Sequence, residues 1–254
     1  MLIVLPPSEG KTAPADGPSL DLDALSFPRL HRTRDQVARA LVRLASTRRA
    51  AEVLGLGPTQ QDAIDVDARL FEVPCAPAGA VYTGVLFGEL DLPSLDDAAT
   101  ARAGASVVVA SALFGLVRVG DLIPAYRLSG TVTLPRLGPV AGRWRPVVPR
   151  VLDEETGDGL LVDLRSGTYV GLGKPGPDLA RRTATVRVLH EQDGRRTVVS
   201  HFNKATKGRL VRALLTEGAE PTDVDGLASA WRDLGWTVEQ DGTRLDVVTT
   251  GGPA

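Results

Sequence analysis

The residues of this chain that could do chemistry stand at the ends of short apolar runs. LIVL is followed by PPSEGKT, VY by TG, VVVA by SALFGLVRVGDLIPAYR, and LLVDL by RSGTY. If these runs are neighbouring buried strands with their loop ends together, Ser8, Glu9, Lys11, Thr83, Ser111, Arg118, Asp121, Arg127, Asp163 and Tyr169 converge on one cleft. Loops at strand ends are where binding groups collect. Glu9, Lys11, Asp163 and Tyr169 are the candidate catalytic set, because carboxylates, an amine and a phenol supply acid–base groups. Each residue also has a plain structural reading: Asp121 as a turn or cap, Arg127 as its ion-pair partner, Tyr169 as a core tyrosine.

The Gly10-Lys11-Thr12 triplet looks like the end of a phosphate-binding P-loop. That loop, G-x-x-x-x-G-K-[ST], needs a glycine at position 5, where Leu5 stands. Other signatures are missing as well. His31, His190 and His201 show no H-E-x-x-H spacing, and no G-x-S-x-G elbow or G-x-G-x-x-G loop is present. The single cysteine, Cys75, excludes an internal disulfide and a cysteine metal cluster. No metal site and no cofactor are expected.

A second concentration of charge lies in HFNKATKGRLVR. Lys204 and Lys207 are three apart and share a helical face, while Arg209 and Arg212 extend the charge onto a neighbouring one. Such a helix attracts phosphate near its start, or it is a solvated amphipathic face. The net charge of −2 conceals a partition: residues 100–215 hold 18 basic and 9 acidic side chains, the remainder 11 basic and 22 acidic. An anion-binding face on an otherwise acidic protein would look like this; so would an arginine-rich, solvated surface.

The elements that must position these groups alternate irregularly. A helical pattern runs over about 35–54, is interrupted by LGLGP, and resumes over 60–70. This resembles a helix-hairpin-helix, whose turn N–H groups face a phosphate, or else a glycine C-cap followed by a proline-started helix. AVYTGVL reads as a strand, Ser94-Leu95-Asp96-Asp97 as a capping box, and the segment after Pro146 as a helix. LLVDL reads as a buried strand, and residues 16–30 as a surface connection. Two hairpins turn at Asp193-Gly194 and Asp241-Gly242. Residues 204–216 read as a helix, and a capped helix starts at 222–225 and ends near 234.

With 254 residues, one large domain over 1–254 is expected, of α+β (mixed α/β) class rather than a doubly wound sheet. No run approaches the ~20 apolar residues of a membrane span. The N-terminus lacks the basic and cleavage regions of a signal peptide. A cytoplasmic protein without a membrane partner is expected. None of these patterns fixes an oligomeric state.

Taken in order, MLIVLPPSEGKT, VYTG, SALFGLVRVGDLIPAYRLSG, LLVDLRSGTYVGL and VSHFNKATKGRLVRALL resemble the YaaA family of peroxide stress resistance proteins. The third segment is the most specific. On this resemblance GKT belongs to the family's own PPSE-x-K-T loop. The resemblance implies a single mixed α/β fold, a central mixed sheet surrounded by helices, with a cationic cleft and a helix-hairpin-helix-like element over 35–70. It further implies DNA binding, limitation of oxidative damage and a link to iron homeostasis. By motif, Lys11 and Thr12 fall in the first loop, Arg118, Tyr126 and Arg127 in the third, and Lys204 and Lys207 on the basic helix. LGLGPTQQD departs from relatives that carry a serine and a lysine after the first turn, and the isoelectric point is near 6.0.

Two functions follow as expectations. In the first, DNA or another phosphate-bearing ligand is held by Ser8, Lys11, Thr12, Arg118, Tyr126, Arg127, Lys204, Lys207 and Arg209. In the second, the same cleft is an enzyme site for a small phosphorylated or nucleoside-like substrate, for example in N-glycosidic cleavage.

Overall fold

The computed structural model describes residues 1–250, with side chains for all of these except 58, 200 and 201. Eight strands form the main sheet: β1 (Leu2–Leu5), β2 (Val107–Ser111), β3 (Gly115–Arg118), β4 (Leu161–Asp163), β5 (Thr183–Gln192), β6 (Arg195–Thr197), β7 (Thr237–Asp241) and β8 (Arg244–Thr250). Their order is β7-β8-β5-β4-β1-β2-β3, with β6 paired to β5. The inner strands β8, β5, β4, β1 and β2 are all parallel, and β7, β3 and β6 join antiparallel. The sheet is therefore mixed and surrounded by helices, as expected, and its centre is more regularly parallel than the chain's rhythm suggested. β1, β2 and β4 are buried along their whole length, which is why they read as unbroken apolar runs.

β1 lies between β2 and β4, so the connections leaving it and returning beside it run to opposite sides. Such a reversal opens a crevice at the carboxyl ends of the strands. PPSEGKT leaves β1 there, and LRSGTY leaves β4.

The helices that matter for the site are α1 (His31–Ala45), α2 (Ala50–Leu54), α3 (Gln61–Ala68), α4 (Val85–Leu90), α5 (Asp97–Ser106), α6 (Val148–Thr156), α7 (Ser200–Glu217) and α8 (Val224–Asp233). Several differ from the sequence reading. The helix expected over 35–54 breaks after Ala45, where the Ser46 and Thr47 hydroxyls donate to the Val42 and Leu44 carbonyls. These side chains compete with the next turn for its backbone partners. AVYTGVL is not a strand. It contains the end of a short helix (Ala78–Val81) and the start of α4, separated by Gly84 at φ 99°. Leu86 and Leu90, four apart and both buried, carried the helical signal. The cap of α5 is Asp96, which accepts from the Ala99 N–H at 2.7 Å, rather than Ser94. Both hairpins turn where expected, with Asp193 at φ 52° and Gly242 at φ 60°. Leu20, Leu22, Leu25 and Phe27 of the supposed surface connection are buried.

A candidate pocket at the switch point

Loop 6–12 is fixed by its neighbour, not by a phosphate. Lys11 forms an isolated antiparallel bridge with Tyr82, and the Thr12 N–H donates to the Val81 carbonyl at 2.9 Å. Ser8 Oγ donates to the Gly10 carbonyl at 2.6 Å and accepts from the Thr83 N–H at 3.0 Å. PPSEGKT and VYTG, 70 residues apart in the chain, are thus stitched together, and the Thr12 N–H is not available to cradle an anion as a P-loop N–H would be.

A cavity of about 440 Å³ opens beside this loop. One wall is Pro6, Pro7, Ser8, Glu9 and Gly10, the second is Thr83 to Phe87, the third is Leu164, Ser166 and Tyr169, and α7 contributes Asn203, Lys204 and Lys207. Lys204 is exposed at its rim. Lys207 is buried and donates to the Leu164 carbonyl at 3.1 Å. Burial lowers its ammonium to about 8, against the opposing pull of Asp163. The wall distance is set by Gly208. A Cβ there would lie 2.3 Å from the Leu86 carbonyl oxygen, so only glycine lets α7 press this closely on α4.

Behind the Ser8–Gly10 wall is a buried polar cluster. Lys11 Nζ donates to the Ser8 carbonyl at 2.9 Å and sits 4.6 Å from the Tyr126 ring centroid and 5.5 Å from that of Tyr82. Tyr82 and Tyr126 share a hydroxyl hydrogen bond of 2.9 Å, and Tyr126 shares another of 2.7 Å with Ser111. Burial, then Arg127, lowers the Lys11 ammonium to about 8, with Glu9 and Asp67 opposing. Burial pushes Tyr82 up to about 12, and raises Tyr126 and Tyr169. Arg127 reaches Glu9 Oε2 at 2.9 Å.

Of the expected site residues, Ser8, Glu9, Thr83, Tyr169, Lys204 and Lys207 line the cavity, and Lys11, Arg127, Tyr126 and Ser111 belong to the cluster behind it. The others are elsewhere. Arg118 sits at the opposite end of β2, paired with Glu155 at 2.7 Å and stacked over Phe27, because β3 runs antiparallel and carries it away. Asp121 organises a turn, accepting from the Arg118 N–H and from Ser26. Asp163 is held by Arg165, whose side chain is fully buried, at 2.8 and 2.6 Å. It is a structural carboxylate, not a free acid–base group. Arg209 pairs with Glu89 at 2.8 Å, away from the cavity lining. Tyr126 is buried in the cluster and offers its hydroxyl to no surface anion. The Thr12 side chain is exposed and does not line the cavity.

The helix-hairpin-helix reading meets a local obstacle. α2 and α3 do flank LGLGP, but the Gly55 and Leu56 N–H groups donate to Glu52 and Ala51, and the Gly57 N–H donates to Gln60 Oε1 at 3.0 Å. The turn is a glycine C-cap with its donors already used.

Two residues were missed. Asp67 is buried and accepts from the Arg127 N–H at 2.9 Å. It follows Ile64 by three on the buried face of α3, so helical spacing could have singled it out from Asp62 and Asp65. Asn203 lines the cavity with a buried, unpartnered Oδ1, and nothing in its sequence setting marks it. Among the described residues no group of three or more His, Cys, Asp or Glu could hold a metal ion, and no helix is long and apolar enough to cross a membrane.

Residues 1–241 match the family model described as peroxide stress protein YaaA. The chain is 48% identical over 243 residues to a UPF0246 protein of Streptomyces coelicolor, covering 95% of this chain and 93% of that one. It is 41% identical over 255 residues to a UPF0246 protein of Corynebacterium efficiens, covering 98% and 99%. A UPF0246 protein of Corynebacterium glutamicum is 37% identical over 254 residues. The chain belongs to the YaaA peroxide stress protein family.

Proposed function

We propose that this member of the peroxide stress family binds a small phosphate-bearing ligand of nucleotide size in the cavity beside β1 and β4. One observation carries the reading: two lysines of α7 face a largely apolar cavity of about 440 Å³, and one of them, Lys204, is exposed at the rim without an ion-pair partner among the described residues. Small-molecule sites run roughly 300–1,000 Å³ and combine apolar walls with a few polar groups. Lys204, Lys207 and Ser8 suit the phosphate. Leu86, Phe87 and Tyr169 suit an organic ring, and Asn203 Oδ1 suits a donor on that ring.

The same geometry favours this over a DNA-backbone groove. Duplex binding needs several cations spread along a surface and free to displace counterions. Arg118, Arg127 and Arg209 each have a carboxylate partner, and the hairpin N–H groups are used. Protection from peroxide through a bound nucleotide-like metabolite therefore fits better than direct shielding of DNA.

The test is calorimetric titration with inorganic phosphate, nucleoside monophosphates and a 20-base-pair duplex at low and high salt, on the wild type, Lys204→Met and Lys207→Met. We expect a monophosphate to bind, and each substitution to weaken it about tenfold or more. Affinity is expected to fall as pH rises above about 8, because Lys207 then loses the proton that attracts the anion. Duplex binding with a steep salt dependence, and no small-ligand binding, would reverse the reading in favour of DNA.

A further inference from the structure

Lysine is scarce in this chain. Of its 29 lysine and arginine side chains only four are lysine: Lys11, Lys174, Lys204 and Lys207. Two of the four line the cavity, and a third, Lys11, stands behind its Ser8–Gly10 wall. Lys174 aside, the rest of the molecule uses arginine. Anion attraction alone does not ask for this choice, because arginine grips phosphate through a bidentate fork and keeps its proton. What lysine adds is an amine that can be discharged and then carries a nucleophilic lone pair.

Lys207 is the lysine placed to use it. Lys11 does not line the cavity, and Lys204 is exposed at the rim. Lys207 lines the cavity and is only 7% exposed. Its Nζ donates to the Leu164 carbonyl at 3.1 Å, and among the described residues no carboxylate is within ion-pair reach of it. Leu86, Phe87 and Leu164 of the surrounding wall offer a charge no solvation from their side chains. The charged groups nearby are accounted for. Asp163, which favours the ammonium, is held by Arg165 through both oxygens, and Glu9 of the cavity wall is paired with Arg127. Lys204, one turn earlier on α7, is the other cation of the cavity. A buried ammonium without an acid in contact favours release of its proton, in keeping with its lowering to about 8 by burial.

We propose that Lys207 is a nucleophile that forms an imine with an aldehyde or ketone group of the ligand held in this cavity. The ligand class narrows accordingly to a phosphorylated aldehyde or ketone. Lys204 at the rim is left for the phosphate, and Leu86 and Phe87 for the apolar body. In the step the Lys207 lone pair attacks the carbonyl carbon and a C–N bond forms. The carbonyl oxygen collects the two amine protons and leaves as water while the C=N bond forms, so no oxidant or reductant is needed. Protonated by solvent, the imine nitrogen draws electrons from the adjoining carbon and eases bond cleavage next to it. The inference rests on the cavity being the ligand site.

The test uses pyridoxal 5′-phosphate and pyridoxal, a ring-bearing aldehyde with and without the phosphate. Each is incubated with the wild-type protein over a range of pH and reduced with borohydride, and the labelled lysine is located by peptide mass spectrometry. At pH near 8 the label is expected on Lys207, in about tenfold or greater excess over the exposed Lys174. Labelling by pyridoxal should rise with pH through about 8, as the free amine is formed. Lys207→Arg keeps the charge and should abolish the imine absorbance, with the melting temperature reporting that the variant is folded. Labelling of Lys207 no faster than that of Lys174, or label confined to Lys204, would overturn the proposal even where nucleoside monophosphates bind. Equal labelling of Lys207 by both probes would uphold the nucleophile and count against the phosphate reading of the cavity.

Discussion

Gly208 offers the sharpest test of how the cavity is built. An added Cβ would stand 2.3 Å from the Leu86 carbonyl oxygen, 2.9 Å from Glu89 Cβ and 3.0 Å from the Leu90 nitrogen. Ordinary contact begins near 3.4 Å, so Gly208→Ala must part α7 and α4 by about 1 Å. Two of the three obstacles are backbone, so no side-chain rotation can absorb the strain. Overpacking of this kind costs about 1–3 kcal/mol, and the better helix propensity of alanine returns about 1 kcal/mol. Against rigid backbone the upper half of that range applies, and a net loss of about 1–2 kcal/mol follows. For a chain of this length that is a fall in Tm of about 2–8 °C. Gly104→Ala is the control, because Gly104 lies inside α5 with nothing within 4 Å of its added Cβ. It is expected to raise Tm by a similar small amount. Differential scanning fluorimetry of the two variants decides the matter. If Gly208→Ala stabilised the protein as Gly104→Ala does, the close approach of α7 to α4, and the wall spacing argued from it, would be wrong.

Three further expectations follow from buried groups. Cys75 is 2% exposed, and burial pushes its thiol up to about 11. The thiolate that reacts with peroxide is therefore scarce and covered, so the native protein should give no trapped sulfenic acid at neutral pH by mass spectrometry. Detection of one would make Cys75 the reactive centre. Arg165→Met leaves Asp163 charged and unpaired in the interior, which should cost about 3–5 kcal/mol in urea unfolding. The Asp163→Asn/Arg165→Met double variant should recover much of that loss, and strict additivity would remove Asp163 from its structural role. The Asp67 carboxyl is raised by burial to about 7 from 3.8. Its favourable contribution is full below the unfolded value and is lost as pH rises towards 7. Asp67→Asn should therefore gain stability relative to wild type between about pH 4 and 7, by on the order of a few kcal/mol. A difference between the two proteins that does not vary with pH would contradict the raised carboxyl.

The parts of the fold readable from sequence were those whose signal is local. Leu2–Leu5, Val107–Ser111 and Leu161–Asp163 are buried on both faces and spell continuous apolar runs, and the Asp-Gly turns fix their hairpins without help. What misled was tertiary. AVYTGVL carries strand-forming residues, yet Gly84 splits it between two helices, and Tyr82 retains only one bridge, to Lys11. The long SALFGLVRVGDLIPAYRL segment was the most distinctive and contributed least to the cavity. Ser111 accepts from the Phe114 N–H to close the β2–β3 turn, the Phe114 and Leu116 carbonyls receive Arg34, and Asp121 holds the next turn. Only its two ends, Ser111 and Tyr126-Arg127, reach the polar cluster. A long, unusual motif can thus specify scaffolding, and its length says little about chemistry.

The charge partition along the chain has a related explanation. Basic residues gathered in 100–215 look like a cationic face while the chain is linear, but folding brings acids from outside that segment against them. Arg127 meets Glu9, Arg187 meets Asp246, Arg196 meets Glu239, Arg209 meets Glu89 and Arg212 approaches Asp91. Part of the excess of each sign is thus neutralised by the excess of the other. Exposed pairs of this kind contribute little stability individually, yet they decide which cations remain to attract a ligand. At the site these are lysines: Lys204 at the rim, Lys207 on a carbonyl, and Lys11 between a carbonyl and two rings. Arginines fixed to carboxylates cannot be discharged near neutral pH, whereas two of these lysines lose their protons near pH 8. Two of the three cations that line or back the cavity thus lose their charge near pH 8, so the affinity proposed for a phosphate-bearing ligand should fall as pH rises past that value.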